Sequence, residues 1–256
     1  MEIRWLKMTD STNMEAWRNK DISPEGTVWC ASYQTRGRGQ RGTRWESAGD
    51  MNLTFSVLFR PERLRAADQQ VISQICSVGV AAYLEDKGLD ARIKWPNDVY
   101  VSDGKICGML IENVLSSDML AVSIAGIGLN VNQRTFPPEL PNPVSVVSCL
   151  EADGNGPAED LDLRQELPLV VDHIWSLYGR LDRDGTVPGL EEEYLSRLYL
   201  LGEDAWFEET EYFTGGAPRR FRGRIVGVEK QTARLLVEKE DGRISRYYFK
   251  EIKYIL

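Results

Sequence analysis

The chain has 256 residues, 42% of them hydrophobic, and carries 31 Lys and Arg against 39 Asp and Glu for a formal charge of −8. That is enough apolar material for one sizeable core and a small second one, and the acidic balance argues against a general nucleic-acid binder. The longest apolar stretch, Met119 to Val131, is broken by Ser123, Gly126, Gly128 and Asn130 and falls short of the roughly twenty residues a membrane span needs. The start MEIRWLKMTD has no apolar signal core, and Cys30, Cys76, Cys107 and Cys149 form neither a C-x-x-C pair nor a zinc spacing, so a reduced, cytoplasmic setting is expected. The single histidine, His173, sits in a helical pattern, which excludes multi-histidine metal sites and leaves triad chemistry only if His173 is the base.

Along the chain, Thr12-Asn-Met-Glu15 reads as a capping box that starts a helix running to about Arg18. Strands near 28–34 and 52–59 flank the loop TRGRGQRGTRW, residues 35–45. Its glycines at 37, 39 and 42 fit the G-x-G-x-x-G spacing, but a strand follows rather than a helix, and four arginines take the place of a helix N-terminus as the source of positive charge. A dinucleotide fingerprint is therefore not the reading; the loop is expected to be mobile until a ligand orders it.

Asp68 opens a helix to about Asp86, and Gly88 stops it. Ala91 to Trp95 is a short strand that Pro96 ends or pushes to an edge. Val99–Val101 and Lys105–Glu112 flank the turn Ser102-Asp103-Gly104, and strand alternation puts Lys105 on the side of Cys107 and Met109, opposite Ile106 and Leu110. Met119 to Ile127 is a further strand, followed by a Pro-rich passage at 136–143 and a Gly/Asp-rich surface loop at 151–160. Helices over about 163–182 and 189–201 come next, then short strands at 205–212, 220–228, 233–239 and 243–249. The fold class is α+β: a mixed β-sheet with helices on one face over residues 1–202, and a small C-terminal β-barrel over 203–256. Residues 219–256 hold eleven Lys and Arg against five Asp and Glu, so a basic terminal unit is joined to an acidic body.

Five polar islands interrupt the apolar pattern: Ser11-Thr-Asn13, Gln34 with the arginine loop to Trp45, Lys94-Trp-Pro-Asn-Asp98, Lys105-Ile-Cys-Gly-Met-Leu-Ile-Glu112 and Gly126-Ile-Gly-Leu-Asn-Val-Asn132. Singly, most have a plain structural explanation: a lysine at a strand end is solvated, Trp95 packs, Gly126 and Gly128 mark a bulge or a close crossing. In this order they resemble biotin protein ligase, over the chain from its first residues to about 200, with a C-terminal part similar to the family's SH3-like domain. The resemblance implies a catalytic domain related to class II aminoacyl-tRNA synthetases and lipoate ligases. Because Ser11 lies so near the start, the monofunctional type is expected, without the winged-helix DNA-binding domain that bifunctional members carry ahead of this motif.

The implied reaction joins biotin to ATP as biotinyl-5′-AMP and then transfers biotin to a lysine of a biotin carboxyl carrier protein. An anion must attack a polyanion, so fixed cations that neutralise charge in the transition state are required. The resemblance implies Lys105, Arg38 and Arg41 as catalytic residues, with Lys105 between the biotin carboxylate and the α-phosphate. It implies Ser11, Thr12, Asn13, Gln34, Gly37, Arg38, Gly39, Gln40, Lys105, Gly126 and Gly128 about biotin, whose neutral ureido ring suits short polar groups. Arg41, Trp45, Lys94, Asn97 and Asn130 fall at ATP positions, Trp45 on the adenine side, and Asp98 is the candidate to aid Mg²⁺. Gln40 departs from the family's usual arginine and keeps hydrogen bonding but not charge. A lipoate ligase shares the fold and the adenylating chemistry, and a biotin-responsive DNA-binding regulator is the reading from a different class. No DNA or membrane partner is expected, and the sequence leaves open whether the chain forms a homodimer.

Overall fold

The structure is a computed structural model that describes residues 1–152, 154, 156–230 and 232–255, with Arg41 described by its backbone alone. Strands β1 (Glu2–Leu6), β2 (Thr27–Ala31), β3 (Leu53–Phe59), β4 (Ala91–Lys94), β5 (Asp98–Val101), β6 (Gly104–Ser116) and β7 (Met119–Leu129) form one sheet in the order β1-β2-β3-β7-β6-β5-β4. Only β1 and β2 run parallel; every other pair is antiparallel, giving the mixed sheet expected. Helices α1 (Thr12–Asn19), α2 (Gln70–Asp86), α3 (Val146–Ala152), α4 (Leu163–Tyr178) and α5 (Leu190–Ser196) accompany it. Strand β1 and helix α3 were not legible in the sequence: β1 is an edge strand with no fully buried residue, and α3 follows a Pro-rich run.

Strand alternation makes the two faces of the central strands unlike. Facing one way, Leu53, Leu129 and Cys107 share a rung, as do Phe55, Ile127 and Met109. Helices α2 and α4 cover this face with Ile72, Ile75, Val78, Val170 and Ile174, all essentially solvent-free. Each such side chain contributes about 1.5–3 kcal/mol on burial. Gly79 lets the two helices touch, since a Cβ there would lie 2.9 Å from the Ile174 Cα.

Facing the other way, the rungs are Thr54, Gly128, Gly108 and Ser56, Gly126, Leu110. Small residues leave a hollow here, while Trp29, Leu58 and Ile124 further along the same face require cover. Helix α1 supplies it through Ala16, in a second small cluster. Helices thus lie on both faces, not one, and the N-terminus of α1 ends beside the hollow.

Strands β8 (Asp204–Glu209), β9 (Arg219–Val228), β10 (Leu235–Lys239), β11 (Ile244–Tyr247) and β12 (Ile252–Ile255) form a second, wholly antiparallel sheet in the order β11-β10-β9-β8-β12 around Phe207, Ile225, Leu235, Val237 and Tyr247. This is consistent with an SH3-like unit. The strand expected over 205–212 ends at Glu209 and gives way to the short helix α6 (Glu211–Thr214), and β12 is additional. Within 219–255 every Lys and Arg except Lys250 lies within 3.9 Å of a carboxylate. The positive excess of this segment is therefore met by acidic groups of the same chain, including Asp204, Glu208 and Glu209, which precede it.

Candidate active site

The small-residue hollow is the floor of a cleft of about 250 Å³. Its wall brings together Ser11, Thr12, Asn13, Gln34, Arg38, Gly39, Gln40, Trp45, Asn97, Asp98, Lys105, Gly126 and Gly128, which the sequence scatters over more than a hundred positions. Gly37 is buried just behind, where a Cβ would meet the Trp45 carbonyl at 2.3 Å. Only Lys94 and Asn130 of the expected residues with described side chains lie elsewhere; the side chain of Arg41 falls outside the described residues.

One end of the cleft is a hydrogen-bonded network of short uncharged side chains, backed by the Arg38–Glu112 ion pair. Ser11 is the N-cap of α1, but no side chain caps the helix, so the capping box read from Thr12 and Glu15 does not form. The Gln34 carbonyl instead accepts from the Thr12 backbone N–H at 2.8 Å and from its hydroxyl at 3.2 Å. Glu15 is drawn away to Arg18, 2.6 Å distant. The Ser56 hydroxyl donates to Asn13 Oδ1 at 2.6 Å, and Asn13 Nδ2 donates to Glu112 Oε2 at 2.9 Å. Tertiary partners at Gln34, Ser56 and Glu112 outcompete the local cap because they also satisfy buried side chains. Ser11 is buried at the cleft wall, and its hydroxyl has no hydrogen-bond partner among the described residues.

Ser56 and Glu112 were missed as site residues by sequence reasoning. Ser56 had a faint signal, a hydroxyl at the middle of Leu53-Thr-Phe-Ser-Val-Leu-Phe59 where alternation calls for packing. Glu112 lay in a quoted motif without a role; it holds Arg38 through contacts of 2.9 and 3.1 Å while accepting from Asn13.

The glycines at 126 and 128 admit protein groups. A Cβ on Gly126 would stand 2.1 Å from Asn13 Oδ1, and one on Gly128 would stand 2.1 Å from the Trp45 ring. Biotin rings were expected directly over these glycines; the structure puts the Asn13 carboxamide and the Trp45 indole there. The indole also crosses Gly108, and its Nε1 is buried with no hydrogen-bond partner among the described residues. An orphaned donor of this kind costs about 1–3 kcal/mol unless something pairs with it.

The other end is charged. Lys105 Nζ lies 2.6 Å from Asp98 Oδ2. Strand alternation was expected to put Lys105 on the side of Cys107 and Met109, but the β5–β6 register slips between Val99 and Tyr100. This bulge turns Lys105 onto the cleft face, where its Nζ would be 3.2 Å from a Cβ on Gly108. Asn97 is buried, donates to the Met109 carbonyl at 3.1 Å and accepts from Gln40 Nε2 at 2.9 Å. Gln40 thereby ties the arginine loop to the Asn97 turn. The loop has further anchors in Gly39 N–H to the Thr43 carbonyl and Trp45 N–H to the Gly37 carbonyl, at 2.8 and 3.2 Å.

Lys94 has its ammonium 3.1 Å from the Tyr100 hydroxyl and over the rings of Tyr100 and Tyr254, the latter on β12. Burial lowers its pKa, with Asp98 pulling the other way. Its neighbour Trp95 donates to the Ala233 carbonyl at 2.9 Å. Lys94 and Trp95 thus face the C-terminal unit, while Asn97 and Asp98 face the cleft. Asn130 is buried and donates to the Val144 carbonyl at 2.9 Å, bracing a loop. The Asp98 carboxylate, the expected aid to magnesium, is paired with Lys105, and no group of three His, Cys, Asp or Glu that could hold a metal occurs among the described residues. His173 lies on α4, 3.0 Å from Asp86 and away from the cleft. No helix among the described residues is long and apolar enough to cross a membrane.

A mixed sheet with a cleft on its small-residue face, lined by short polar side chains at one end and holding a lysine at the other, has the groups needed by a ligase that activates a small carboxylic acid. Residues 5–132 match the model of the biotin/lipoate A/B protein ligase family, and the chain belongs to that family. It is 30% identical over 207 residues to the biotin–[acetyl-CoA-carboxylase] ligase of Paracoccus denitrificans, covering 77% of this chain and 81% of that one. It is 29% identical over 252 residues to the bifunctional ligase/repressor BirA of Bacillus subtilis, covering 97% of this chain and 71% of that one. Among solved structures, the biotin protein ligase from Aquifex aeolicus in complex with biotin and ATP superposes with a TM-score of 0.75 at 28% identity, covering 99% of this chain and 98% of that one.

Proposed function

We propose that this chain is an ATP-dependent biotin–protein ligase, which makes biotinyl-5′-AMP and passes the biotinyl group to a lysine of a biotin carboxyl carrier protein. The observation that carries the reading is the polarity of one cleft: Thr12, Asn13 and Gln34 offer uncharged donors and acceptors at one end, and Lys105 offers a cation at the other. A bicyclic ureido acid has that same order of groups. The Ser11 hydroxyl and the unpaired Trp45 Nε1 are further groups able to meet a polar ligand.

Biotin binds with its ureido ring at the α1 end and its carboxylate toward Lys105. The carboxylate oxygen forms a bond to the α-phosphorus as the bridging bond to the β-phosphate breaks, and pyrophosphate leaves. Lys105 neutralises the approaching anions, exchanging its resting partner Asp98 for them. Arg38, exposed and held by Glu112, turns to the phosphates. Gly37 lets the loop close against Trp45 and Gly39 lets it fold onto Thr43, and Gln40 and Asn97 hold the loop over the nucleotide. In the second step the carrier lysine amine attacks the biotinyl carbonyl, the C–O bond to phosphate breaks, and AMP leaves as the amine loses its proton. A magnesium ion would come with the triphosphate as part of the substrate and would supply further charge neutralisation there, held mostly by water and phosphate. Residues 1–202 form the catalytic domain and 203–256 a second domain that closes one end of the cleft.

The test is mass spectrometry of a biotin carrier domain incubated with the purified protein, biotin and ATP. A gain equal to one biotinyl group is expected; no gain, or a lipoyl gain when lipoate replaces biotin, overturns the reading.

A further inference from the structure

We infer that Lys250, in the turn between β11 and β12 of the C-terminal unit, is a substrate-contacting residue that binds the polyphosphate of ATP. This rests on the ligase reading above. Among the described residues of 203–255, Phe249 and Lys250 line the cleft. Phe249 packs edge-on against Trp95 at 6.4 Å, which puts the turn at the Asn97–Asp98–Lys105 end, where the phosphates lie in the proposed reaction.

Three observations set Lys250 apart. Every other Lys and Arg of 219–255 is ion-paired, whereas Lys250 has no carboxylate partner among the described residues. It holds a φ of 76°, a left-handed conformation unfavourable for a side chain with a Cβ. Its backbone is fixed there from both sides: the Lys250 carbonyl accepts from the Thr210 hydroxyl at 2.6 Å, and the Glu251 carbonyl accepts from the Thr210 N–H at 2.9 Å. A turn that only had to reverse the chain would be served by glycine. The turn instead brings a lysine without a carboxylate partner to the cleft that Lys105 also lines, where the charge of Lys105 is balanced by Asp98. Two lysines lining one cleft suit a chain of phosphates better than a single carboxylate, and a compact ammonium on a flexible stem meets phosphate oxygens without fixed geometry.

The experiment uses the full chain with Lys250→Gln and Lys250→Arg. Binding of inorganic tripolyphosphate is measured by calorimetry, and pyrophosphate release and transfer from ready-made biotinyl-5′-AMP are measured separately. Lys250→Gln is expected to weaken tripolyphosphate binding and raise the KM for ATP by about tenfold, the loss of one charge-assisted contact, with Lys250→Arg restoring most of it. Transfer from the adenylate, which involves no triphosphate, is expected to stay within about twofold. Unchanged tripolyphosphate binding, or an equal fall in transfer, overturns the assignment and makes Lys250 structural or a carrier contact. Lys250→Gly serves as the folding control, since it removes the charge and relieves the left-handed strain; it must match Lys250→Gln in binding. A wild-type protein that binds tripolyphosphate through Lys250 but biotinylates nothing overturns the ligase reading and leaves the phosphate site standing.

Discussion

Lys105 Nζ and Asp98 Oδ2 stand 2.6 Å apart on adjacent strands of one hairpin, each side chain about a third exposed to the cleft (30% and 31%). The pair is a stored cation: the carboxylate fixes the aim of the ammonium until two stronger anions arrive. Lys105→Ala is expected to slow pyrophosphate release by about a hundredfold or more, since it removes charge stabilisation realised mainly in the transition state. Transfer from ready-made adenylate suffers much less. Lys105→Arg recovers only part, because a planar fork does not replace a compact charge at the same reach. Near-normal pyrophosphate release by a folded Lys105→Ala protein shifts the role to Arg38.

Gly126 and Gly128 make a second prediction. Gly128→Ala drives a methyl to 2.1 Å from the Trp45 ring, and Gly126→Ala drives one equally close to Asn13. Both groups lie on the cleft wall, so each substitution is expected to weaken biotin binding by at least tenfold while costing about 1–3 kcal/mol of stability. Titration with biotin, with melting curves alongside, checks both. Unaltered biotin affinity in either variant contradicts the placement of biotin along this wall, with its ureido ring at the α1 end beside Asn13.

Lys94 is expected to act on stability and not on ATP. Its ammonium is shared between Tyr100 of the body and Tyr254 of the C-terminal unit, a cation–π contact worth about 0.5–2 kcal/mol when partly desolvated. Lys94→Met should lower the melting temperature by a few degrees, on the order of 4 °C per kcal/mol at this size or less. The KM for ATP should remain within about threefold of wild type. A tenfold rise with unchanged melting would return Lys94 to the nucleotide site.

Acid should loosen the C-terminal unit first. Burial alone would raise the Glu209 pKa, but hydrogen bonds from Lys239, Tyr247 and Arg219 outweigh it and hold the carboxyl below the ordinary glutamate value of 4.5. A depressed folded pKa means that the stabilisation is fully present above pH 4.5 and is lost as the pH falls through the lower folded value. Glu209→Gln leaves Lys239 without its partner in a mostly buried site and is expected to cost about 2–4 kcal/mol at neutral pH. It should also flatten the acid limb of the stability curve. Melting followed by a C-terminal probe at Trp206 from pH 7 to 3 tests this, and an unchanged acid limb in Glu209→Gln would refute it.

How much of this was legible beforehand can be seen at particular residues. Composition and alternation determined the α+β class, most strands of both sheets and the helix that became α2, because hydrophobic period is a local property of the chain. The motif order determined which side chains belong together: thirteen of the expected residues line one cleft, though they are spread from Ser11 to Gly128. What only the tertiary structure decided is which group each of them meets. Thr12 looked like a helix cap and became a partner of Gln34, because a buried hydroxyl is claimed by whichever acceptor the packed sheet brings within reach. Lys105 was aimed at the wrong face because a single bulge inverts strand parity, and nothing local announces a bulge. Gly126 and Gly128 were read as space for a ligand, yet the space is occupied by Asn13 and Trp45, both of which arrive from other elements. Lys94, Ser56, Glu112 and Lys250 acquired their surroundings the same way. Charge on the C-terminal unit was countable in the sequence, but its cancellation by Asp204, Glu208, Glu209 and Glu229 depended on strand register, which is fixed only when both strands are in place.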